Sequence, residues 1–586
     1  MQQIDNLNVE HLQRVYKRLK RNTKNFNTLM VRDPVDFLDF EINLTKNLED
    51  LILEINRSSY HPQKPYTHLS PKNKGINRPT VVFDIRDALV YRFCIEEIED
   101  ILLKKTKQKG VFGGIKITPN LDSEGDPYEK WIKEWRNYIV SIENALESSN
   151  FLVSTDIASY FEFINLLILK DLLRSDVDGK YGLLNLLFYF LENSRFRLDY
   201  EVNTFNGLPQ EDIDCSRLLA YYFLNRNDKK MALFSKQNHC EFYRWVDDMS
   251  VIVKSEVEGR KALKKLTESL RELGLVASIE KTSILNNELA KEEFFFKENR
   301  LLDEYEAKII KLIVNPSRNR IAINGLKRNL EKYYVSLVKS GKTSKKAWIK
   351  ILKRFYTLLS YLQSDLLLNE VSQHLISYPL VIFGRKLSKY FIRNQQSPLF
   401  SQALYKLILY LKSDENLYPM IETEVLEIFL YLNQKYMTPQ IKSKISFLSE
   451  DIFFKKNNFK PLSDYARALA CLLIFRFNKN KLEGLANYYI KSNEYSFILR
   501  KYLIFVSLTV ENEKLRKLVF NKAQKEQNPI ISRMVNLIEN MFLYKSKREL
   551  KIYLRKNRVY IHKAKVFEYY TPIRTEILDK LIEIWS

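Results

Sequence analysis

Phe242-Tyr243-Arg244-Trp245-Val246-Asp247-Asp248-Met249-Ser250-Val251-Ile252-Val253 is the stretch on which the fold turns. Two runs rich in β-branched and aromatic residues flank a short break, which predicts a β-hairpin. A two-residue hairpin turn favours Asn-Gly or Asp-Gly, because those residues reach positive φ without strain. Here the turn is expected to hold Asp247 and Asp248, adjacent acids that repel one another and gain nothing from the turn geometry. Violated local preferences of this kind gather at functional sites, and divalent cations would relieve the repulsion. Upstream, residues 151–155 (Phe-Leu-Val-Ser-Thr) read as a second strand that ends at Asp156. Carboxylates at the ends of neighbouring strands can share a pair of Mg²⁺ ions, which take hard oxygen ligands and keep substrate phosphates in their shell. Two such ions stabilise an attacking 3′-oxygen and a departing pyrophosphate together.

Composition sets the outer bounds. The chain has 586 residues, 45% apolar and 28% charged, enough for more than one buried core. Lys plus Arg is 94 and Asp plus Glu is 71, and the net charge of +23 points to a polyanionic partner, nucleic acid first. Four cysteines lie far apart with no CxxC pair, and the histidines show no HxxxH spacing, so a zinc ribbon or disulfide framework is not expected. Apolar runs are far too short to span a bilayer, so no membrane partner is expected. The first residues lack a basic start followed by an apolar segment, which predicts a reduced, cytoplasmic setting. Ten of fourteen glycines fall before residue 300, so mixed, turn-rich structure is expected in 1–300 and helices in 301–586. The turn-rich run Val314-Asn315-Pro316-Ser317-Arg318-Asn319 marks the boundary region. Beyond it, residues 326–337, 348–362, 465–475 and 533–543 carry apolar residues at three- and four-residue spacing. Helix pairs of this kind stack as an irregular HEAT-like array or form one irregular helical domain.

Several motifs together resemble the reverse transcriptases. Asp156-Ile157-Ala158-Ser159-Tyr160-Phe161 is similar to their motif A, and Trp245-Val246-Asp247-Asp248 to the Y/F-x-D-D of motif C. Between them, Asn206-Gly207-Leu208-Pro209-Gln210 resembles motif B, and Gly274-Leu275-Val276-Ala277-Ser278-Ile279-Glu280-Lys281-Thr282 resembles motif D. Lys74-Gly75-Ile76-Asn77-Arg78-Pro79 is similar to a fingers segment. The resemblance implies an α+β right-hand fingers and palm in 1–300 followed by the all-α HEAT-like domain in 301–586. It implies Asp156, Asp247 and Asp248 as the catalytic, metal-binding acids for two Mg²⁺ ions. Tyr160 would be the steric gate against a ribose 2′-hydroxyl, and Gln210 would lie near the incoming nucleotide. Arg78 and Lys74 would hold the triphosphate, where a guanidinium binds phosphate oxygens bidentately. Lys281 would act at the pyrophosphate.

Three residues depart from the family pattern. Glu211 stands where motif B has Gly, which is expected to bring a negative charge into the path of template and nucleotide. Trp245 replaces Tyr or Phe in motif C, and Ser278 replaces Asn in motif D.

A polymerase-like half joined to a helical half resembles the bacterial abortive-infection (Abi-like) and related defence-associated reverse transcriptases. That resemblance implies dNTPs as substrates, a DNA product, a homo-oligomer and a role in anti-phage defence, with untemplated, protein-primed synthesis as the first reading. The alternatives are templated copying of a bound noncoding RNA and a catalytically inactive nucleic-acid-binding module. Tyr544, Tyr553, Tyr560, Tyr569 and Tyr570 are candidate priming residues beside a basic stretch from Lys545 to Lys565.

Overall fold

The computed structural model describes residues 4–24, 31–35, 37–72, 74–118, 131–147, 150–194, 207–345, 347–494, 496–542 and 572–585. The five candidate priming tyrosines lie outside the described residues. Two compact units are present: residues 1–28, 45–67 and 79–298 form one, and residues 29–44, 68–78 and 299–586 form the other. A single cut at residue 300 therefore describes the chain only in part, because two short N-terminal segments belong with the C-terminal helices. Strands β1 (Tyr66–Pro71) and β2 (Asn77–Val82) pair as a two-stranded sheet near the junctions of these segments.

The first unit is built on one sheet. Strands β3 (Val111–Phe112), β4 (Phe151–Thr155), β5 (Glu241–Trp245), β6 (Asp248–Val253) and β7 (Ser283–Asn286) lie in the order β3-β5-β6-β4-β7. β3 runs parallel to β5, and the other pairings are antiparallel. Both faces are covered, so the inner strands carry apolar residues at successive positions without a polar alternation. On one face Leu152 and Ile252 are cross-strand partners and pack with Tyr138, Ile142, Ala145 and Leu146 of the helix Trp131–Glu147. On the other face the helix Glu256–Arg271 comes so close that a Cβ on Gly259 would stand 3.1 Å from Val153 Cγ2 and 3.2 Å from Ile284 Cγ2. Any larger residue there would lift the helix from the sheet.

The hairpin turn lies one residue earlier than expected, which shifts the cross-strand pairing by two residues. Trp245 pairs with Asp248, so the turn is Val246-Asp247 and Asp248 already opens β6. The observed register puts Arg244 opposite Met249, both buried, and Tyr243 opposite Ser250, also buried.

The second unit is a double layer of helices. In one layer Trp348–Tyr361, Lys386–Arg393, Pro419–Tyr431, Asp464–Phe477, Phe497–Ser507 and Pro529–Phe542 each pack on the next. In the other, Val371–Ser377 packs on Phe400–Leu411 and that on Pro439–Phe454, while Leu482–Lys491 packs on Glu513–Gln524. Every second helix is thus a neighbour, as in a stacked solenoid. Its interior is unusually charged: Glu427 contacts Arg385, and Lys501 lies against Asp33 and, at 2.7 Å, Asp39. Among the described residues no helix is long and apolar enough to cross a membrane.

Candidate active site

Asp156 follows the last paired residue of β4, where Thr155 faces Met249. Continuing that register sets Asp156 across from Asp248, on the face shared with Leu152 and Ile252. Asp247 projects from the adjoining turn. Burial, then the charges of Asp248 and Asp156, push its carboxyl up to about 7. Asp156 and the adjacent pair Asp247-Asp248 are thus drawn together by two strand ends and one turn. Asp156 is buried, Asp247 half-buried and Asp248 exposed.

The motif D segment is laid along motif A by main-chain bonds. Ile157 bridges Ala277, Ala158 N donates to Val276 O at 2.9 Å, and Ser278 N donates to Asp156 O at 2.7 Å. Ser278 therefore serves through its backbone, which makes its departure from Asn tolerable. The Thr155 and Thr282 hydroxyls meet at 2.6 Å. This places the Lys281 ammonium against Asp156 Oδ2, where it supplies the positive charge facing that carboxylate.

Among the described residues no group of three or more His, Cys, Asp or Glu side chains is placed to hold a metal ion. Asp156, Asp247 and Asp248 are an open group of carboxylates whose crowding adds to the upward push on Asp247. That fits magnesium, which uses one or two protein carboxylates and completes its shell with water and phosphate.

Motif B meets motif A through Leu208 N to Phe161 O at 2.7 Å and Gly207 N to Ile164 O at 2.8 Å. Gln210 is half-buried, and its carbonyl accepts from Val81 N at 2.8 Å. Glu211 does not enter a template path, contrary to the expectation from its sequence position. Its carboxylate turns inward and accepts from Ile213 N at 2.5 Å and Ser216 N at 2.7 Å, capping the helix Cys215–Phe223. The N-cap residue itself, Asp214, sits at φ 62° and makes no side-chain cap bond, which leaves those donors to Glu211. Burial pushes Glu211 up to about 7 against the pull of the two N–H donors.

Tyr160 is a core residue. It is 3% exposed and its hydroxyl donates to the backbone carbonyl of Ala220, so its ring is not presented to a nucleotide. The next residue, Phe161, is half-buried. Lys74 and Arg78 belong to the second unit, Lys74 exposed and Arg78 half-buried. Their hairpin is tied there by Gly75 N donating to Tyr418 Oη at 2.7 Å and Asn77 Nδ2 donating to Leu417 O at 3.3 Å. Trp245 stands edge-on to Trp135, ring centroids 5.2 Å apart, so its bulk is absorbed by an aromatic cluster under the turn.

Two functional residues escaped the sequence reading. Arg244 is fully buried in β5, and its guanidinium pairs with Asp228 through Nε at 2.7 Å and Nη2 at 2.6 Å. Its Nη1 donates to Val246 O at 2.6 Å, and the group lies 4.8 Å over the Tyr221 ring. Val246 has φ 53°, a left-handed conformation that a β-branched residue adopts only when its surroundings enforce it. A two-residue hairpin turn itself requires such a conformation, and Arg244 holds the carbonyl of Val246. The available signal was an arginine inside an otherwise apolar strand. Asp228, on a helix with many polar residues, gave none.

No protein-family model and no curated protein matches the chain. Among solved structures it is similar to telomerase from Candida albicans in complex with the TWJ fragment of telomeric RNA. That match has 11% identity and a TM-score of 0.30, over 63% of this chain and 63% of that one. It is also similar to the Candida tropicalis telomerase with the same kind of RNA fragment, at 12% identity and TM-score 0.29, over 69% and 68%. This chain spans just under two thirds of the length of the first.

Proposed function

We propose that the protein is a DNA polymerase of reverse-transcriptase type, adding dNTPs at the Asp156–Asp247 centre and acting in anti-phage defence. The observation that carries the reading is the convergence of Asp156, Asp247 and Asp248, with motif segments B and D both hydrogen-bonded to motif A. Two Mg²⁺ ions, when bound, would supply stabilisation of the attacking oxygen and of the departing pyrophosphate. Asp156 and Asp247 would hold them, with Asp248 as the adjacent acid. Lys281, which contacts Asp156, would neutralise charge on the departing phosphates. Gln210 would line the nucleotide site. The gate against ribose moves from Tyr160 to Phe161, because Tyr160 is committed to Ala220.

The defence role rests on the joining of this half to stacked helices, which we read as a HEAT-like array in a cytoplasmic homo-oligomer. Untemplated, protein-primed synthesis is the first form of the reaction. Templated copying of a bound RNA is the second, and the inward turn of Glu211 favours it by removing the charge expected in the template path. Incubation of the purified protein with labelled dNTPs and Mg²⁺ tests the site: wild type incorporates label and Asp247→Ala does not. Equal labelling by both proteins overturns the assignment, and no labelling by either leaves a nucleic-acid-binding module. A product complementary to one copurifying transcript establishes the templated form. DNA released from the polypeptide only by proteolysis establishes the protein-primed one.

A further inference from the structure

The segment that follows β3 is irregular, yet it runs beside the turn that carries Asp247. Gly110 O accepts from Arg244 N at 2.9 Å, Val111 and Phe112 pair with Arg244 and Trp245, and Gly113 comes next. Gly113 is buried at φ 89°, a left-handed conformation that suits glycine. A Cβ there would stand 3.2 Å from Val246 Cγ2 and 3.7 Å from Val246 N. On Gly114 it would stand 2.7 Å from Cζ of the Tyr221 ring, a distance at which atoms clash. That ring lies 4.8 Å from the Arg244 guanidinium, and Tyr221 O accepts from Arg244 Nη2 at 3.3 Å. Residues 113 and 114 therefore lie against the turn and against the tyrosine that supports Arg244.

Arg217 holds the main chain of this segment. Its guanidinium donates through Nη1 to Gly113 O at 3.0 Å and through Nη2 to Ile115 O at 3.3 Å, while Nε donates to Asp214 Oδ1 at 3.3 Å. Arg217 and Tyr221 are four residues apart on the helix Cys215–Phe223, so one helix face offers the segment a cationic fork and a ring one turn apart. Further on, Arg92 Nη2 donates to Ile117 O at 2.7 Å and Thr118 N donates to Glu99 Oε1 at 3.2 Å. Those bonds fix the far end, and Arg217 fixes the part that meets Val246. A planar guanidinium can span two carbonyls in one rigid geometry, which the compact ammonium of a lysine does not reproduce.

We infer that Arg217 is a positioning residue for Asp247: by bridging the carbonyls of Gly113 and Ile115 it seats the segment against Val246, and so fixes the turn from which Asp247 reaches a metal ion. The inference rests on the proposed reading of Asp156 and Asp247 as a Mg²⁺-holding centre, and it adds a residue that acts on that centre only through the main chain. Groups that orient a metal ligand without binding the metal change its affinity when they are lost.

The test uses the full chain carrying 5-fluorotryptophan, with the Trp245 signal among the five tryptophans assigned by its loss in Trp245→Phe. Trp245 adjoins the turn, and a Cβ on Gly113 would stand 3.8 Å from its Cε3. Mg²⁺ is titrated without nucleotide while the fluorine signal is followed, and dNTP incorporation is measured in parallel. Arg217→Gln raises the Mg²⁺ midpoint about tenfold in both measurements. Loss of a cation alone would favour Mg²⁺ and lower the midpoint, and partial unfolding would weaken the signal without moving it, so a rise reports position. Arg217→Lys keeps the charge but not the span over two carbonyls, and raises the midpoint by a smaller factor. If Arg217→Gln fails to fold, that variant carries the comparison. Arg260→Gln, an exposed control with the same change of charge, keeps the wild-type midpoint. An unmoved or lowered midpoint in Arg217→Gln, a wild-type midpoint in Arg217→Lys, or an equal rise in the control overturns the inference, as does a wild-type signal indifferent to Mg²⁺. Wild-type protein that responds to Mg²⁺ but incorporates no dNTP sinks the polymerase reading alone, because the midpoints without nucleotide still decide the role of Arg217.

Discussion

Arg244 provides the sharpest test, because it joins stability to the geometry of the acids. Arg244→Gln leaves the Asp228 carboxylate buried without its partner and takes the donor from Val246 O. Removing one member of a fully buried pair costs about 3–5 kcal/mol. A lost bond to a backbone carbonyl adds about 1 kcal/mol, not strictly additively. The expected loss is therefore about 4 kcal/mol, a large part of the ~5–15 kcal/mol that holds a typical domain. Two units in one chain make a single global unfolding midpoint a poor measure. Amide hydrogen exchange read peptide by peptide suits the question better. At 1.4 kcal/mol per tenfold, β5 and β6 amides should open roughly a thousand times more often. Arg244→Met/Asp228→Leu removes both charges together, so most of the protection returns. Activity does not return with it, since the bond that fixes the Val246 carbonyl beside Asp247 is lost. A double variant that recovers protection and incorporates dNTPs at the wild-type rate refutes the positioning role. Unchanged exchange in Arg244→Gln refutes the buried pair itself.

Glu211→Gly, which restores the residue the family pattern has there, should destabilise the first unit by about 1–2 kcal/mol through loss of the helix cap and gain no activity; a stabilised or more active variant contradicts the capping role. Glu211 is raised in the folded state from 4.5 to about 7. Its stabilising contribution is therefore complete below pH 4.5 and is lost as pH rises through 7, so wild type should lose stability relative to Glu211→Gln across that window. Asp247, raised from 3.8 to about 7, behaves in the same sense in the metal-free protein. Because a divalent ion competes with its proton, the Mg²⁺ concentration for half-maximal incorporation should fall as pH rises through 7, and a constant value would count against the carboxylate cluster. Tyr160→Phe should cost about 1 kcal/mol and leave the dNTP-to-NTP ratio of kcat/KM unchanged, while Phe161→Ala should lower that ratio. The reverse pattern returns the gate to Tyr160.

Much of the site was legible one residue at a time. The strand 151–155 and the hairpin around Asp247 are written in local β preference, and Asp156, Asp247 and Asp248 stand out as acids at strand ends. The helices after residue 320 follow from apolar spacing, because a helix must bury one stripe whatever it packs against. What local sequence cannot carry is the register of a hairpin whose two faces are both covered. The turn falls on Val246-Asp247, one residue earlier than local preference places it, and Arg244 meets its partner Asp228 only in the folded chain. The same holds for Glu211 and Tyr160: their residue types allowed an exposed role, and the backbone donors at Ile213 and Ser216 and the acceptor at Ala220 drew them inside. Sequence named the acids because carboxylates at strand ends are costly without a purpose. Tertiary structure chose their supports, because a buried ion pair or cap depends on which distant groups are brought within 3 Å, and that distance exists only after folding.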